Sequence, residues 1–254
     1  MARDPQFFIG KTIIITGAAS GVGRAAAHLF AQQGVNVVCA DIDGKGVEQT
    51  AADVRAAGHQ AIAFKTDVSK RAEVERLVAG AIEHFKGISF LFNCAGAAFK
   101  RSKFLEIDDA LFDKTFDLNV KGTFYAMQEV LPHMLAAGFG TIVNVASLAH
   151  KKGGGGGSIH YAASKGAVWT MTLGVAREFA AQGIRCLSIS PGSINTAFQS
   201  SANTTPEQVK AFMSDIPMKR YAEPEEIAEL ALFMCSDACP FMTADTVYVS
   251  GGGR

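Results

Sequence analysis

Seven short apolar segments alternate along this 254-residue chain with longer segments of helical pattern. The apolar segments are 12–16, 35–40, 60–66, 89–94, 140–146, 184–190 and 246–250, and the main helical segments are 24–33, 45–57, 70–85, 108–137, 161–182 and 223–235. Strands that alternate with helices in this way predict an α/β fold, a doubly wound parallel sheet with helices on both faces. Because no segment has the composition of a linker, we expect one domain over residues 1–254, with a substrate-binding lid at 193–222.

A glycine-rich turn follows the first strand. Thr12–Thr16 ends at Gly17, and Ala-Ala-Ser-Gly-Val-Gly leads into the first helix. Glycines between a strand and a helix let backbone N–H groups approach a pyrophosphate, and the helix N-terminus favours its negative charge. The turn therefore indicates a dinucleotide site, with an ordinary strand-to-helix turn as the alternative.

Asp41 stands at the end of the second strand, where a carboxylate can accept hydrogen bonds from the adenosine ribose of a dinucleotide. The same carboxylate would repel a ribose phosphate, so Asp41 favours NAD over NADP. Since Asp43 and Gly44 follow at once, the alternative is a turn or helix-capping residue. After the third strand, Ser69 can cap the helix that starts near Lys70, and Glu73 has capping-box spacing if Ser69 is not quite the N-cap.

Tyr161 and Lys165 are four residues apart in a segment that predicts a helix, so both side chains lie on one face. A nearby ammonium lowers the pKa of a phenol, and such a pair can act as a general acid and base on an alcohol or carbonyl. The alternative is a surface pair without function. Before this helix, the five glycines of 153–157 predict a mobile surface loop.

Two further polar residues stand where chemistry is expected. Asn119 interrupts the helical segment 108–137, where asparagine is a poor helix former, so it marks either a tolerated surface position or a local break with a functional side chain. Ser147 follows the fifth strand, and Asn93-Cys94-Ala95-Gly96 ends the fourth. In an open parallel sheet these strand ends border the ligand crevice.

Composition excludes several classes of function. Acidic and basic residues balance at 24 each, so no net charge draws the chain to nucleic acid or an acidic membrane. Five scattered cysteines without ligand spacing argue against a metal site and for a reducing compartment. No apolar run approaches the roughly 20 residues of a membrane span, and residues 1–10 lack a signal-peptide core. We expect a cytoplasmic protein.

Taken together, these motifs resemble the short-chain dehydrogenase/reductase family from about residue 10 to the C-terminus. The matching elements are, in family order, the turn Thr16–Gly23, Asp67-Val68, Asn93–Gly96, Asn119, Ser147, Tyr161 with Lys165, and Pro191-Gly192. The resemblance implies a Rossmann-type sheet of seven parallel strands in a single domain. It departs from the family pattern at Cys94, which replaces an asparagine, and in the glycine run, which makes the gap from Ser147 to Tyr161 about one residue longer.

The resemblance also implies roles for individual residues. Tyr161 transfers the substrate proton, Lys165 lowers the pKa of Tyr161 and holds the nicotinamide ribose, Ser147 binds the substrate oxygen, and Asn119 holds a water that relays protons. The expected NAD-binding residues are Gly17, Ser20, Gly21, Val22, Gly23, Asp41, Asp67, Val68, Asn93, Ala95, Gly96, Tyr161, Lys165, Pro191, Gly192, Ile194 and Thr196. A homotetramer is expected, with a dimer as the alternative, through pairing of helices 108–137 and 161–182.

The sequence leaves the substrate open. The main hypothesis is an NAD-dependent enzyme acting on a secondary alcohol or its ketone in a polyol, sugar or sugar acid. A 3-oxoacyl thioester reductase and a dinucleotide-binding regulator without turnover are the alternatives. Lys100, Arg101, Lys103, Lys151 and Lys152 follow the fourth and fifth strands and suggest steering of an anionic substrate, unless they are solvated or form subunit contacts.

Overall fold

The computed structural model describes residues 3–196, 205, 211 and 213–253. Within them, a parallel sheet of seven strands has the order β3-β2-β1-β4-β5-β6-β7. The strands are β1 (Thr12–Thr16), β2 (Asn36–Asp41), β3 (Ala61–Lys65), β4 (Phe90–Asn93), β5 (Gly140–Val145), β6 (Ile184–Pro191) and β7 (Thr246–Val249). The seven predicted strands are confirmed, with ends that differ by at most one residue.

Helices cross over between the strands. They are α1 (Gly21–Gln32), α2 (Gly44–Ala56), α3 (Arg71–Phe85), α4 (Asp109–Phe116), α5 (Gly122–Ala137), α6 (Ala149–Lys152), α7 (Ile159–Phe179) and α8 (Pro224–Cys235). Of the expected lid, residues 193–222, positions 197–204, 206–210 and 212 lie outside the described residues. Before α8, Glu223 and Glu226 form a capping box, with Pro224 in the first turn.

The sheet separates two apolar cores, because successive side chains of a strand such as β1 point to opposite faces of the sheet. Ile13 and Ile15 pack into the core that contains α1 and α8, whereas Ile14 packs into the core that contains α3 and α5. All five residues of β1 are buried, so this interior strand of the sheet is covered on both faces.

One predicted helical segment contains a local break, and the start of another differs from the prediction. The segment 108–137 contains one π-helical turn, Asp117–Lys121, between α4 and α5, so Asn119 does mark a break. The expected cap at Ser69 is wrong: the N-cap position is Lys70, and the Ser69 hydroxyl donates instead to Asp67 Oδ1 at 2.7 Å. Asp67 Oδ1 also accepts from Ser69 N at 3.0 Å, and this Asx turn holds Ser69 outside the helix.

The glycine run has a defined course rather than lying wholly at the surface. Gly153, Gly154, Gly156 and Gly157 have positive φ angles, and Gly154 is buried. The Gly157 carbonyl accepts a hydrogen bond of 2.8 Å from Ser102 N, in the loop after β4. The expectation of a surface loop therefore holds for only part of the run, because one glycine is packed between neighbouring segments.

Candidate active site

A cleft of about 1260 Å³ opens at the carboxyl ends of the strands, where the order of the sheet reverses between β1 and β4. Crossovers leave this point in opposite directions, which creates the crevice in which open α/β sheets bind ligands. Most of the residues expected to bind the cofactor line this cleft: Gly17, Ser20, Gly21, Val22, Asp41, Asp67, Val68, Ala95, Gly96, Tyr161, Lys165, Pro191, Gly192, Ile194 and Thr196.

The glycine turn is shaped by close backbone approach. A Cβ on Gly17, which has φ +74°, would lie 2.9 Å from Ala95 N, and one on Gly23 would lie 2.1 Å from the Gly17 carbonyl oxygen. Ser20 occupies the N-cap of α1 without a side-chain capping bond, and with Gly21 and Val22 it faces the cleft. A helix N-terminus behind a turn free of side chains fits the pyrophosphate of a dinucleotide.

Asp41 is held by two backbone donors at the edge of the cleft. Its Oδ2 accepts from Ala19 N, in the glycine turn, and its Oδ1 accepts from Asp43 N, each at 3.0 Å. These bonds fix the carboxylate beside the turn and leave it accessible from the cleft. The arrangement suits the ribose hydroxyls of a dinucleotide, which can donate to a carboxylate.

The catalytic candidates Ser147, Tyr161 and Lys165 lie together in the wall of the same cleft. A hydrogen bond joins Ser147 and Tyr161, and Lys165 Nζ donates to the Val145 carbonyl oxygen at 2.7 Å. The Nζ lies 5.9 Å from the centre of the Tyr161 ring. The end of β5 and the first turns of α7 thus bring an alcohol, a phenol and an ammonium to one place.

Burial is the dominant influence on the ionisation of this pair. It raises the pKa of Tyr161 to about 12, while the Ser147 hydrogen bond and the positive charge of Arg101 lower it. It also lowers the pKa of Lys165 to about 8. The influences that lower the pKa of Tyr161 come from Ser147 and Arg101, and the predicted lowering by Lys165 is not among them.

Asn119 supports the site from beneath rather than lining it. The side chain is buried, and its Oδ1 accepts from Ala97 N while its Nδ2 donates to the Ala97 carbonyl oxygen and to Ser164 Oγ. These bonds tie the loop after β4 to α7. Both amide hydrogens are therefore used within the protein, and a water would have to bind another atom of this residue.

Two of the expected cofactor residues lie behind the cleft. Asn93 is buried and its Nδ2 donates to Asn144 Oδ1, on β5, at 2.9 Å. Gly23 packs against Gly17 beneath the turn. Both residues therefore support the cleft wall from behind. The Asn93 side chain links β4 to β5, and the missing side chain of Gly23 leaves room for the backbone of Gly17.

Two contributors, Thr16 and Ser164, were not predicted as site residues, and a third, Arg101, was predicted only as one of several charges that could steer a substrate. Thr16 Oγ1 accepts from both Cys94 N and Ala95 N and so fixes the end of β4. Ser164, between Tyr161 and Lys165, accepts from Asn119. Arg101 lines the cleft and acts electrostatically on Tyr161. The only sequence signal for them was their position at strand ends or inside a recognised motif.

Cys94, which replaces the asparagine of the family pattern, is partly buried and packs against the core that contains α1 and α8. Burial raises its pKa to about 12, so the thiol is neutral beside Lys165. Among the described residues, no group of three or more His, Cys, Asp or Glu side chains is arranged to hold a metal ion. In the same part of the chain, no helix has both the length and the apolar character needed to cross a membrane.

Comparison with known proteins gives consistent matches over almost the whole chain. The family profile described as enoyl-(acyl carrier protein) reductase matches residues 17–253. Cis-4-hydroxycyclohexanecarboxylate dehydrogenase of Sinomonas cyclohexanicum is 35% identical, covering 97% of this chain and 98% of its own. A 3-oxoacyl-acyl-carrier-protein reductase of Thermotoga maritima is 32% identical, covering 96% and 97%. The structure of NAD⁺-bound xylitol dehydrogenase superposes with a TM-score of 0.90 at 30% identity, covering 96% and 99%.

Proposed function

This chain belongs to the short-chain dehydrogenase/reductase family, and from that premise we propose that it is an NAD(H)-dependent oxidoreductase that interconverts a secondary alcohol and its ketone. The observation that carries the proposal is the meeting of Ser147, Tyr161 and Lys165 in the cleft that Asp41 and the glycine turn also border. One cleft thus combines groups for proton transfer with groups suited to a nicotinamide dinucleotide.

The cofactor and two side chains have different roles in the proposed reaction. A bound nicotinamide dinucleotide supplies or accepts the hydride. In ketone reduction, the Tyr161 phenol donates a proton to the substrate oxygen, and the raised pKa of Tyr161 keeps that proton in place at neutral pH. The Ser147 hydroxyl donates a hydrogen bond to the same oxygen and stabilises its developing charge.

Lys165 acts beside these groups from a fixed position. The Val145 carbonyl orients its ammonium, and at pH values below about 8, the pKa of the buried group, the ammonium is charged. A positive charge there favours the phenolate that Tyr161 forms when it gives up its proton. Its donors are also suited to the hydroxyls of the nicotinamide ribose. We assign Asn119 to the support of this pair through Ser164.

NAD is the proposed cofactor because of Asp41. A carboxylate beside the ribose accepts hydrogen bonds from two hydroxyls, whereas a phosphate at the same place meets like charge. The cleft edge on this side also contains Ile42, Asp67 and Val68, which offer an apolar surface for the adenine and a further acceptor.

The proposed substrates are small alcohols with several polar groups: a polyol, a sugar, a sugar acid or a hydroxylated ring. The similarity to xylitol dehydrogenase and to a hydroxycyclohexanecarboxylate dehydrogenase supports this class. A 3-oxoacyl thioester reductase is the second candidate, supported by the Thermotoga maritima relative and by the matching family profile. A cofactor-binding regulator without turnover is the alternative from another class.

The test is nicotinamide reduction by the purified protein, with NAD and NADP in separate assays. The substrate panel contains polyols, sugars, sugar acids, cyclic alcohols and 3-hydroxyacyl thioesters. We expect turnover with NAD on the alcohol classes, loss of turnover in Tyr161→Phe with NAD binding retained, and normal turnover in the control Tyr125→Phe. Preference for NADP with thioesters would favour the second candidate, and unchanged activity in Tyr161→Phe would contradict the mechanism.

For the whole protein we propose a cytoplasmic homotetramer. All five cysteines are free thiols, which suits a reducing compartment. Phe112 on α4 and Phe124 on α5 are 43% and 41% exposed, on the helical region expected to pair between subunits. Apolar side chains of this size at the surface of one protomer favour burial against another.

A further inference from the structure

The loop after β4 and the glycine run after β5 are joined where both border the cleft. Ser102 N donates to the Gly157 carbonyl oxygen at 2.8 Å. Beside it, Arg101 Nη1 lies 3.4 Å from the Gly155 carbonyl oxygen and 3.3 Å from that of Gly156. Arg101 is partly buried and lines the cleft together with these glycines. The guanidinium is therefore held in the cleft wall by backbone from the neighbouring loop.

The backbone contacts orient Arg101 without neutralising it. Carbonyl oxygens carry no net charge, so they accept hydrogen bonds while the guanidinium keeps its positive charge. The positive charge of Arg101 influences the reaction centre, because it lowers the pKa of Tyr161. In turn, the interaction with Tyr161 raises the pKa of Arg101, although burial lowers it by more. A partly buried cation in a cleft interacts more strongly with an anion than an exposed one does.

Arg101 differs in this respect from the other basic residues of the two loops. Lys152 also lines the cleft, but its side chain is exposed. Lys151 Nζ lies 3.8 Å from the centre of the Tyr248 ring, and Lys100 and Lys103 are exposed. Among the basic residues of these two loops, Arg101 is thus the one that is both partly buried and part of the cleft wall, and Lys152 is a weaker outer contributor.

We propose that Arg101 is a specificity-determining residue that binds a carboxylate of the substrate, so that the preferred substrates are small hydroxy acids or keto acids. This inference rests on the proposed reaction at Tyr161. The planar guanidinium matches the two oxygens of a carboxylate, and the charge-assisted pair is stronger than a neutral hydrogen bond. One end of the substrate is held at Arg101 while its alcohol or ketone carbon faces Ser147 and Tyr161.

The glycine run gives this subsite its shape. A Cβ on Gly154, which has φ +75°, would lie 2.4 Å from the Ser158 carbonyl oxygen, so a side chain there displaces the turn. By contrast, a Cβ on Gly155 meets nothing within 4 Å and Gly155 has no positive φ. The run thus presents the carbonyl groups of Gly155 and Gly156 to Arg101 only if Gly154 lacks a side chain.

The experiment compares matched anionic and neutral ligands. Kd values for cyclohexanecarboxylate and cyclohexanecarboxamide are measured by calorimetry on the NAD-loaded protein, and KM and kcat are measured for 4-hydroxycyclohexanecarboxylate and its amide. We expect the wild type to favour the carboxylate and Arg101→Gln to reduce that preference by about 10- to 100-fold. Lys103→Gln, which removes one exposed charge from the same loop, should leave the preference unchanged.

The preference for the acid over the amide, expressed as the ratio of their Kd values or of their kcat/KM values, separates carboxylate recognition from an effect on the chemical step. Because the acid and the amide react at the same carbon, an effect of Arg101 on Tyr161 changes both and leaves the ratio unaltered. Gly154→Ala should lower the ratio as Arg101→Gln does, and Gly155→Ala should not. Equal binding of acid and amide by the wild type, or an unchanged ratio in Arg101→Gln, would overturn the inference. Turnover of neutral alcohols that is lost in Tyr161→Phe would then show that the proposed reaction survives without it.

Discussion

At the scale of single residues, burial opposes the charged forms of both Tyr161 and Lys165. The phenol keeps its proton to higher pH than a free tyrosine, and the ammonium loses its proton at lower pH than a free lysine. A charged lysine that is 3% exposed therefore destabilises the folded protein at neutral pH. In the proposed reaction this charge stands beside Tyr161, so stability and function make opposite demands on Lys165.

Lys165→Met should stabilise the protein and abolish turnover. Lowering the pKa of Lys165 from 10.5 to about 8 corresponds to about 3 kcal/mol of destabilisation at neutral pH. The lost hydrogen bond to Val145 offsets about 1 kcal/mol of the gain. Urea unfolding at pH 7 should thus show a variant about 2 kcal/mol more stable than the wild type.

The stability difference between the wild type and Lys165→Met should also change with pH in a known direction. Since the folded protein binds this proton less tightly than the unfolded chain, wild-type stability rises relative to the variant as pH increases from about 8 toward 10.5. The advantage of Lys165→Met should therefore shrink between pH 7 and pH 9.5. A constant difference across that range would contradict the burial argument.

Ser147→Ala should affect both rate and pH profile. Loss of one hydrogen-bond donor to the reacting oxygen lowers kcat by about 100- to 1000-fold. The Ser147 hydrogen bond is also the largest influence that lowers the pKa of Tyr161, so its removal raises that pKa further. In alcohol oxidation, where Tyr161 acts as base, the rise of kcat/KM with pH should move to higher pH. An unmoved profile would show that the two hydroxyls act independently.

At the scale of secondary-structure elements, a buried chain of polar side chains connects the strands beneath the cleft. Asn93 on β4 donates to Asn144 on β5, and Asn144 Nδ2 donates to Thr172 Oγ1 on α7 at 3.0 Å. Asn144 and Thr172 are fully buried, and Asn93 nearly so. Buried amides need partners, so this chain fixes how β4, β5 and α7 meet at the end that carries Ser147 and Tyr161.

Asn144→Leu should therefore destabilise the protein by about 1 to 3 kcal/mol, because the Asn93 amide is left buried without this partner. The double variant Asn93→Leu, Asn144→Leu should recover part of that loss, since both polar groups are then replaced by apolar groups of similar size. Thermal or urea unfolding of the two single variants and the double variant gives the coupling free energy. Simple additivity would contradict a direct contact.

The glycine turn before α1 has a prediction of its own. In Gly23→Ala the new Cβ would lie 2.1 Å from the Gly17 carbonyl oxygen, and backbone there cannot yield as a flexible side chain can. The helix must shift away from the turn, so NAD affinity should fall at least about tenfold. Gly87→Ala is the matched control, since its Cβ meets nothing within 4 Å. Calorimetric titration with NAD should show wild-type affinity in the control.

At the scale of the whole molecule, the residues proposed to bind the cofactor and to transfer the proton lie at the carboxyl ends of the strands. The turn after β1, Asp41 at the end of β2, Asp67 after β3, Ser147 after β5 and Gly192 after β6 all border one cleft. Parallel strands place their carboxyl ends on the same side, so residues far apart in the chain meet there. The opposite end of the sheet contributes packing and the N-terminal segment, where Phe8 contacts Phe30 and Phe90.

The proposed tetramer can be tested at this scale. Phe124→Asp should place a charge in a contact between subunits and lower the molar mass measured by light scattering after size exclusion, from that of a tetramer to that of a dimer or monomer. Ile9→Asp makes the same change at another exposed apolar residue, which is 62% exposed, and should leave the mass unchanged. A wild-type protein that elutes as a monomer would refute the tetramer directly.

The sequence by itself determined the strand and helix order, the glycine turn, Asp41 and the Tyr161–Lys165 pair. These depend on local periodicity and on residue types at strand ends, which tertiary contacts do not override. Only the tertiary structure decided that Asn93 and Asn119 are buried supports, that Arg101 lines the same cleft as Tyr161 and that burial dominates the pKa of Tyr161. Each of these features depends on contacts between residues far apart in the chain and on how completely those contacts exclude water. Local sequence patterns predict neither the contacts nor the burial.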